Sequence, residues 1–334
     1  MINAAFILKA EHFQEVYGHE CVAEVSRHAK VLGATLLTTE ALVAQPPAWL
    51  EELEVLFAGW GSPVLDAALL ARMPRLRAVF YGGGTVRPIS SEALWERGIL
   101  VASAAALNAV PVIEFTFGAI LLSFKRVWHH ARAARLRRTY EPLRTLPIPT
   151  GSGATIGLVS LGLIGAGVAE RLRACDVRVL AYDPAFSDEQ AAMLGAELVS
   201  LEEIFSQSDV VSLHTPLLPE TRHFINAGLL NRLKPHATFI NTARGALVHE
   251  TALIEFLRER PDVQAILDVI DPEPPLRESS LYDLPNVFLT PHLAGSVGAE
   301  CRRMGRAMVE EFNRYLRGEP FRYAVTRDQL ARMA

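Results

Sequence analysis

The sequence has only three cysteines, Cys21, Cys175 and Cys301, set far apart along 334 residues. That spacing excludes a disulfide framework and a close-spaced zinc pair, so we read a reduced, cytoplasmic chain with no metal site. No run reaches the ~18 uncharged apolar residues that would span a bilayer, so no membrane partner is expected. Met1 to Lys9 hold one short apolar run with no basic stretch before it, which does not read as a signal peptide. A basic excess is also missing. The net charge is −4, which argues against a dedicated nucleic-acid binder. Lysine is scarce, at four residues against 29 arginines, a bias of composition more than of function. There is no repeat of fixed period and no low-complexity tract. What remains is ordinary globular material, 50% hydrophobic and 21% charged. At roughly 150 residues per domain, its length suggests two domains.

Short apolar runs alternate with helical patterns, the signature of parallel α/β units. Strands are predicted at Ala4–Leu8, Val55–Phe57 and Ala78–Phe80, and helices at Glu20–Leu32, Ser90–Arg97 and Glu114–Trp128. The last is apolar almost all round, so burial between domains is expected. From Ala154 the alternation is regular. Strands are read at Ala154–Ser160, Val177–Tyr182, Asp209–Leu213, Ala237–Asn241, Ala265–Val269 and Asn286–Leu289. Helices are read at Ile164–Ala174, Leu201–Ser206 and Glu250–Arg260. Unbroken Val/Ile/Leu strands suit a sheet covered on both faces. Between Arg126 and Pro149 lie Arg126, Arg132, Arg135, Arg137, Arg138 and Arg144, then Pro142, Pro147 and Pro149. This stretch is either a solvated surface connection or a site for an anionic group.

The segment Gly157-Leu158-Val159-Ser160-Leu161-Gly162-Leu163-Ile164-Gly165 runs from a strand through a turn into a helix. Gly162 lets the backbone approach a pyrophosphate, and Gly165 lets the helix pack on the strand. The helix N-terminus offers free N–H groups and the positive end of its dipole. Asp183 follows at the end of the next strand, where the dinucleotide fingerprint places an acid on the ribose hydroxyls. A carboxylate there repels a 2′-phosphate and favours NAD over NADP. Ser160 occupies the fingerprint's first glycine position, which serves a tight turn, so some backbone strain is expected. By itself the motif is equally an ordinary strand-turn-helix with small packing residues.

Three downstream segments add chemistry: Ile240–Val248 with Arg244, Leu267–Pro274 with Asp268 and Glu273, and Leu289–Gly295 with His292. Each sets a polar residue just past a strand's C-terminal end, the edge where open parallel sheets bind ligands. With these segments the chain resembles the D-isomer-specific 2-hydroxyacid dehydrogenase family, from about Val55 to Gly318. His214–Arg222 looks like that family's loop after the fourth nucleotide-domain strand. Oxidising a 2-hydroxy acid needs a base for the hydroxyl proton while C2 gives up hydride. A histidine exchanges protons near neutral pH, which suits His292. A carboxylate beside it orients the ring, which suits Glu273. An always-charged arginine grips the carboxylate and polarises the carbonyl, which suits Arg244.

The resemblance implies two Rossmann-like, doubly wound parallel-sheet α/β domains with a cleft that closes on substrate. Residues 105–296 would form the NAD-binding domain. Residues 1–104 with 297–334 would form a discontinuous, flavodoxin-like substrate domain. It implies NAD(H) contacts at Gly162, Leu163, Ile164, Asp183, Pro184, Thr215, Pro216, Thr221, Thr242, Ala243, Asp268, His292, Ala294 and Gly295. It also implies substrate contacts at Gly83, Gly84, Thr85, Asn108 and Arg244, and a homodimer through the long helix and the arginine-rich segment. Asp268 would meet the nicotinamide amide, unless it only caps a strand end. Asn108 would sit near the nicotinamide, unless it is an N-cap. Trp60 either lines the cleft mouth or packs on the surface.

The chain departs from the family at the substrate side. Arg87, after Gly82-Gly83-Gly84-Thr85-Val86, stands where an aspartate is usual, and Ala105-Ala106 replaces a Pro-Gly turn. Glu273 counts against formate dehydrogenase relatives, which pair the histidine with an amide. No lysine lies between Phe80 and Ser90, which counts against phosphite dehydrogenase relatives. Two functions are therefore read: an NAD-dependent D-2-hydroxyacid dehydrogenase or 2-ketoacid reductase on a small-molecule substrate, and a non-catalytic NADH-sensing protein of the same fold.

Overall fold

The computed structural model describes residues 1–33, 36–138 and 151–330. Arg144, Pro142, Pro147 and Pro149 lie outside the described residues. The chain divides into two compact units. One is Met1–Ala109 with the segment that begins at Ser296, and the other is Val110–Gly295.

The first unit is built on β1 (Ile2–Ile7), β2 (Ala29–Val31), β3 (Val55–Ala58), β4 (Ala78–Tyr81) and β5 (Leu100–Ser103). They form one parallel sheet in the order β2-β1-β3-β4-β5. Side chains alternate across the strands, so Phe6, Phe57 and Phe80 enter one core layer and Ile7, Leu56 and Val79 the other. Both layers are buried, which is why these strands read as unbroken apolar runs. In the first layer Phe57 stacks on Phe6 at 4.7 Å and meets Phe80 and Phe312 at 5.4 and 5.5 Å between ring centroids. Phe312 comes from the helix Ala299–Leu316, which brings the returning chain back onto this sheet.

The second unit carries β6 (Ala154–Val159), β7 (Val177–Tyr182), β8 (Ala196–Leu198), β9 (Val210–Leu213), β10 (Thr238–Asn241), β11 (Gln264–Leu267) and β12 (Val287–Leu289). All pairings are parallel, in the order β12-β11-β10-β9-β6-β7-β8. The order reverses between β6 and β9. Two neighbouring strands whose connections leave in opposite directions open a crevice at their carboxyl ends. The α/β, doubly wound fold read from the sequence is the observed one.

Several predicted elements differ. The helix expected at Glu20–Leu32 ends at Val25, and Ala29–Val31 is a strand that pairs with β1. Its partner is distant in sequence, so local periodicity does not reveal it. β5 and β8 are not among the strands read from the sequence. The helix expected at Glu114–Trp128 spans Ala105–Ser123 and is followed by a separate helix, Val127–Arg137. Arg126 breaks the two at φ 46°. It is buried and donates to the Asp262 carbonyl at 2.7 Å, unlike the exposed Arg132, Arg135, Arg137 and Arg138. By length and composition alone, Ala105–Ser123 could cross a membrane. A search for uncharged runs passes over it because Glu114 interrupts it. In the structure Val112, Ile113, Ala119 and Ile120 of this helix are buried and Thr116 bonds Thr242.

Phe57→Ala should cost about 3–5 kcal/mol, because four rings lose their common partner and the layer cannot collapse around the gap. Urea unfolding of the whole protein measures it. A loss below about 1 kcal/mol would contradict the packing described.

Candidate active site

Every strand of the second unit points the same way, so the loops after β6, β7, β9, β10, β11 and β12 emerge on one edge of its sheet. After β6, Gly162 opens the helix Leu163–Leu172, and no side chain caps it. A Cβ built on Gly162 would meet no atom within 4 Å. The helix end is therefore open, with the amides of Leu163 and Ile164 in its first turn, as a pyrophosphate requires. Gly165 is needed for the opposite reason: its Cβ would lie 2.0 Å from the Ser160 carbonyl oxygen. Ser160 stands at φ 82°, the left-handed region expected where the fingerprint has glycine. For a non-glycine residue this costs on the order of 1 kcal/mol.

Asp183 and Pro184 follow β7. The Asp183 carboxylate accepts from Ser160 Oγ at 3.0 Å and from the amides of Leu161 and Ala185 at 2.7 and 2.9 Å. After β9, Thr215 donates to the Val159 carbonyl. Thr221 folds the loop back, donating to the Pro216 carbonyl at 2.7 Å and accepting from the Leu218 amide at 2.8 Å. After β10, Thr242 Oγ1 lies 3.0 Å from Thr116 Oγ1, and the Ala243 amide donates to Asn241. Arg244 donates to the Ala243 carbonyl at 2.6 Å. Its neighbour Gly245 packs directly on the chain at Ile270, where a Cβ would sit 1.9 Å from a backbone carbon. Only glycine lets the Arg244 turn approach the segment that leads to Glu273.

On this edge His292 pairs with Glu273. His292 Nδ1 lies 2.6 Å from Glu273 Oε1, and both side chains are exposed. His292 stands at φ 51°. Asp268 holds its loop. The Asp268 carboxylate accepts from Thr290 Oγ1 at 2.5 Å and from the amides of Leu293 and Ala294 at 2.9 and 3.0 Å. The Asp268 carbonyl accepts from the His292 amide. These bonds set Asp268 at the base of the His292 loop, a role that the resemblance to a nicotinamide contact did not suggest. Gly295 ends this loop.

The first unit gathers the other expected residues. Gly83, Gly84 and Thr85 follow β4, and Ser103 donates to the Gly84 carbonyl at 2.5 Å. Asn108 is not an N-cap. The helix begins at Ala105, whose amide donates to Ser103 Oγ, and Asn108 lies one turn in. Its Oδ1 accepts from the Ser296 amide, and its Nδ2 lies beside Gly84. Trp60 is half-buried, its ring 5.3 Å from that of His12. Arg87 donates to the Leu330 carbonyl at 2.5 Å, so the residue that replaces the usual aspartate ties down the last helix among the described residues.

One residue was read only as part of a loop. His214, directly after β9, is buried, and neither ring nitrogen has a hydrogen-bond partner among the described residues. Burial pushes its imidazole down to about 3. The unfolded chain takes up a proton at a histidine near pH 6.5, and the folded chain does not until far lower. The contribution of a neutral His214 is therefore full above pH 6.5 and is lost as pH drops from there toward 3, by up to about 1.4 kcal/mol per pH unit. His214→Gln should lose less stability than the wild type between pH 7 and 5, read from urea midpoints. An equal loss would contradict a neutral buried ring.

A family model described as "D-isomer specific 2-hydroxyacid dehydrogenase, NAD binding domain" matches residues 117–294. The D-3-phosphoglycerate dehydrogenase of Methanocaldococcus jannaschii is 33% identical over 86% of this chain and 53% of its own length. The glyoxylate reductase of Korarchaeum cryptofilum is 33% identical over 76% of this chain and 77% of its own. The chain spans about half the length of the phosphoglycerate dehydrogenases it matches. Among solved structures, the TT0316 protein of Thermus thermophilus superposes with a TM-score of 0.78 at 30% identity, covering 97% of this chain and 100% of that one. The apo D-mandelate dehydrogenase of Rhodotorula graminis gives 0.79 at 25% identity, covering 98% of each.

Proposed function

The chain belongs to the D-isomer specific 2-hydroxyacid dehydrogenase family, and from that premise we propose that it transfers a hydride between NAD(H) and a D-2-hydroxy acid or its 2-keto partner. The observation that carries the reading is the 2.6 Å contact between His292 Nδ1 and Glu273 Oε1. A carboxylate only accepts, so the shared proton belongs to Nδ1 and the ring presents Nε2 for exchange. In reduction, His292 Nε2 gives a proton to the substrate carbonyl oxygen, and in oxidation it takes the hydroxyl proton back. Glu273 fixes the ring's orientation.

Arg244 answers the other charge. Its guanidinium has five donors in a planar fork, matched to a carboxylate and to an oxygen that becomes negative during transfer. The open helix end at Gly162 and the Asp183 carboxylate would hold NAD(H), which when bound would supply or accept the hydride. The 2-keto acid is left as a class, because relatives of similar identity are named for phosphoglycerate and for glyoxylate.

NADH consumption at 340 nm with glyoxylate, hydroxypyruvate, pyruvate, phenylpyruvate and 2-ketoglutarate tests the proposal. Turnover with at least one is expected, with NADH preferred to NADPH. His292→Ala and Arg244→Ala should each lower turnover at least about a hundredfold while leaving the fold intact. Near-normal rates in either variant would overturn the assignment. NADH binding with silence across the panel would favour the binding-protein reading.

A further inference from the structure

Ser160 is a departure from the dinucleotide fingerprint that the hydride-transfer chemistry leaves unexplained. A turn can be closed by glycine at a positive φ without strain, yet here a serine stands at φ 82°. Its side chain is not idle. The Ser160 hydroxyl donates to Asp183 Oδ2 at 3.0 Å, while the Ser160 amide donates to the Tyr182 carbonyl at 2.7 Å. The Leu161 amide donates to the same Oδ2 at 2.7 Å, and the Ala185 amide donates to Oδ1 at 2.9 Å. Three donors from two loops thus converge on one carboxylate. A carboxylate offers about four acceptor directions, so one remains, on Oδ1.

We propose that Ser160 is a positioning residue for cofactor selection, one that locks Asp183 against the turn and makes discrimination between NADH and NADPH a property of the Ser160–Asp183 pair. The inference rests on the NAD(H) assignment of this site. The glycine that the fingerprint calls for would leave Asp183 with backbone donors alone. The hydroxyl adds a second bond from the turn after β6 beside that of the Leu161 amide, while the Ala185 amide holds the carboxylate from its own loop. A fixed acceptor binds a ribose hydroxyl without first losing side-chain freedom. It also cannot swing aside to admit a 2′-phosphate, which would then meet a fixed negative charge. A carboxylate free to rotate would offer weaker attraction to the ribose and weaker exclusion of the phosphate.

The account separates two roles that the backbone angle alone would merge. If Ser160 only shapes the turn, Ser160→Gly should bind both cofactors as well as the wild type does. If the hydroxyl sets Asp183, Ser160→Gly and Ser160→Ala should behave alike. The experiment is direct titration of each protein with NADH and with NADPH, followed by the cofactor's fluorescence and requiring no turnover. In both serine variants the NADH Kd should rise about three- to tenfold, and the ratio of NADPH Kd to NADH Kd should fall at least about fivefold, the size of effect expected from one ordinary hydrogen bond. Ser160→Gly should also raise the Tm by relieving the positive φ, while Ser160→Ala should not.

Asp183→Asn completes the cycle. In that background Ser160→Ala should change neither Kd further, because the two residues act as one unit. NADH binding with an unchanged Kd ratio in both serine variants would overturn this inference and leave the NAD(H) assignment standing. No NADH binding by the wild type would overturn both. Equal weakening of NADH and NADPH in Ser160→Ala, with Ser160→Gly binding both as the wild type does, would assign Ser160 to the turn alone and overturn its part in selection.

Discussion

The buried carboxylate of Asp268 is the constraint on which the reactive edge depends. It closes β11, and it accepts from Thr290, Leu293 and Ala294 in the loop after β12. An unpaired charge in that position would be costly, and three donors converging from one loop make the arrangement favourable. The loop is thereby pulled over the end of a neighbouring strand. His292, in its middle, is held at φ 51°, a conformation that residues with a Cβ avoid unless their surroundings impose it. The His292–Glu273 contact follows from that placement. It is exposed and would be worth little as an isolated ion pair. Its value is in orienting a ring whose backbone is already fixed.

Two glycines do similar work by absence. Gly165 lets a helix start against the turn that precedes it, and Gly245 lets the Arg244 turn lie against the chain at Ile270. In each case a single Cβ would collide with main chain, which has no rotamer to yield. The site is therefore a set of close backbone approaches at one edge of a parallel sheet, with charged side chains placed on top of them. Such an edge arises because all strands of the unit run the same way and the order reverses between β6 and β9.

Much of this was legible in the sequence, for identifiable reasons. Strands β6, β7, β9, β10 and β11 are mainly apolar runs with Gly162, Asp183, Thr215, Arg244 and Asp268 within three residues of their ends, so strand ends and site residues announce each other. Gly162, Gly165 and Asp183 share one short motif with a clear physical purpose. The parts that stayed hidden depend on contacts between distant segments. Ala29–Val31 is a strand only because β1 lies beside it. The break at Arg126 follows from a carbonyl 136 positions away, that of Asp262. Arg87 stands in the glycine loop where an aspartate is usual, and the structure ties it to Leu330. His214 was read as part of a loop, because nothing in the sequence tells a buried imidazole from an exposed one.

The central claim is that His292 Nε2 and Arg244 together receive a 2-keto acid, with Glu273 fixing the histidine from behind. The most direct measurement is a crystal structure of the protein with NADH and oxamate, an unreactive 2-keto acid mimic. The account predicts the oxamate carbonyl oxygen within hydrogen-bond distance of His292 Nε2 and its carboxylate on Arg244, with His292 Nδ1 still on Glu273. Oxamate bound away from both residues, or His292 turned so that Nδ1 no longer meets Glu273, would contradict it.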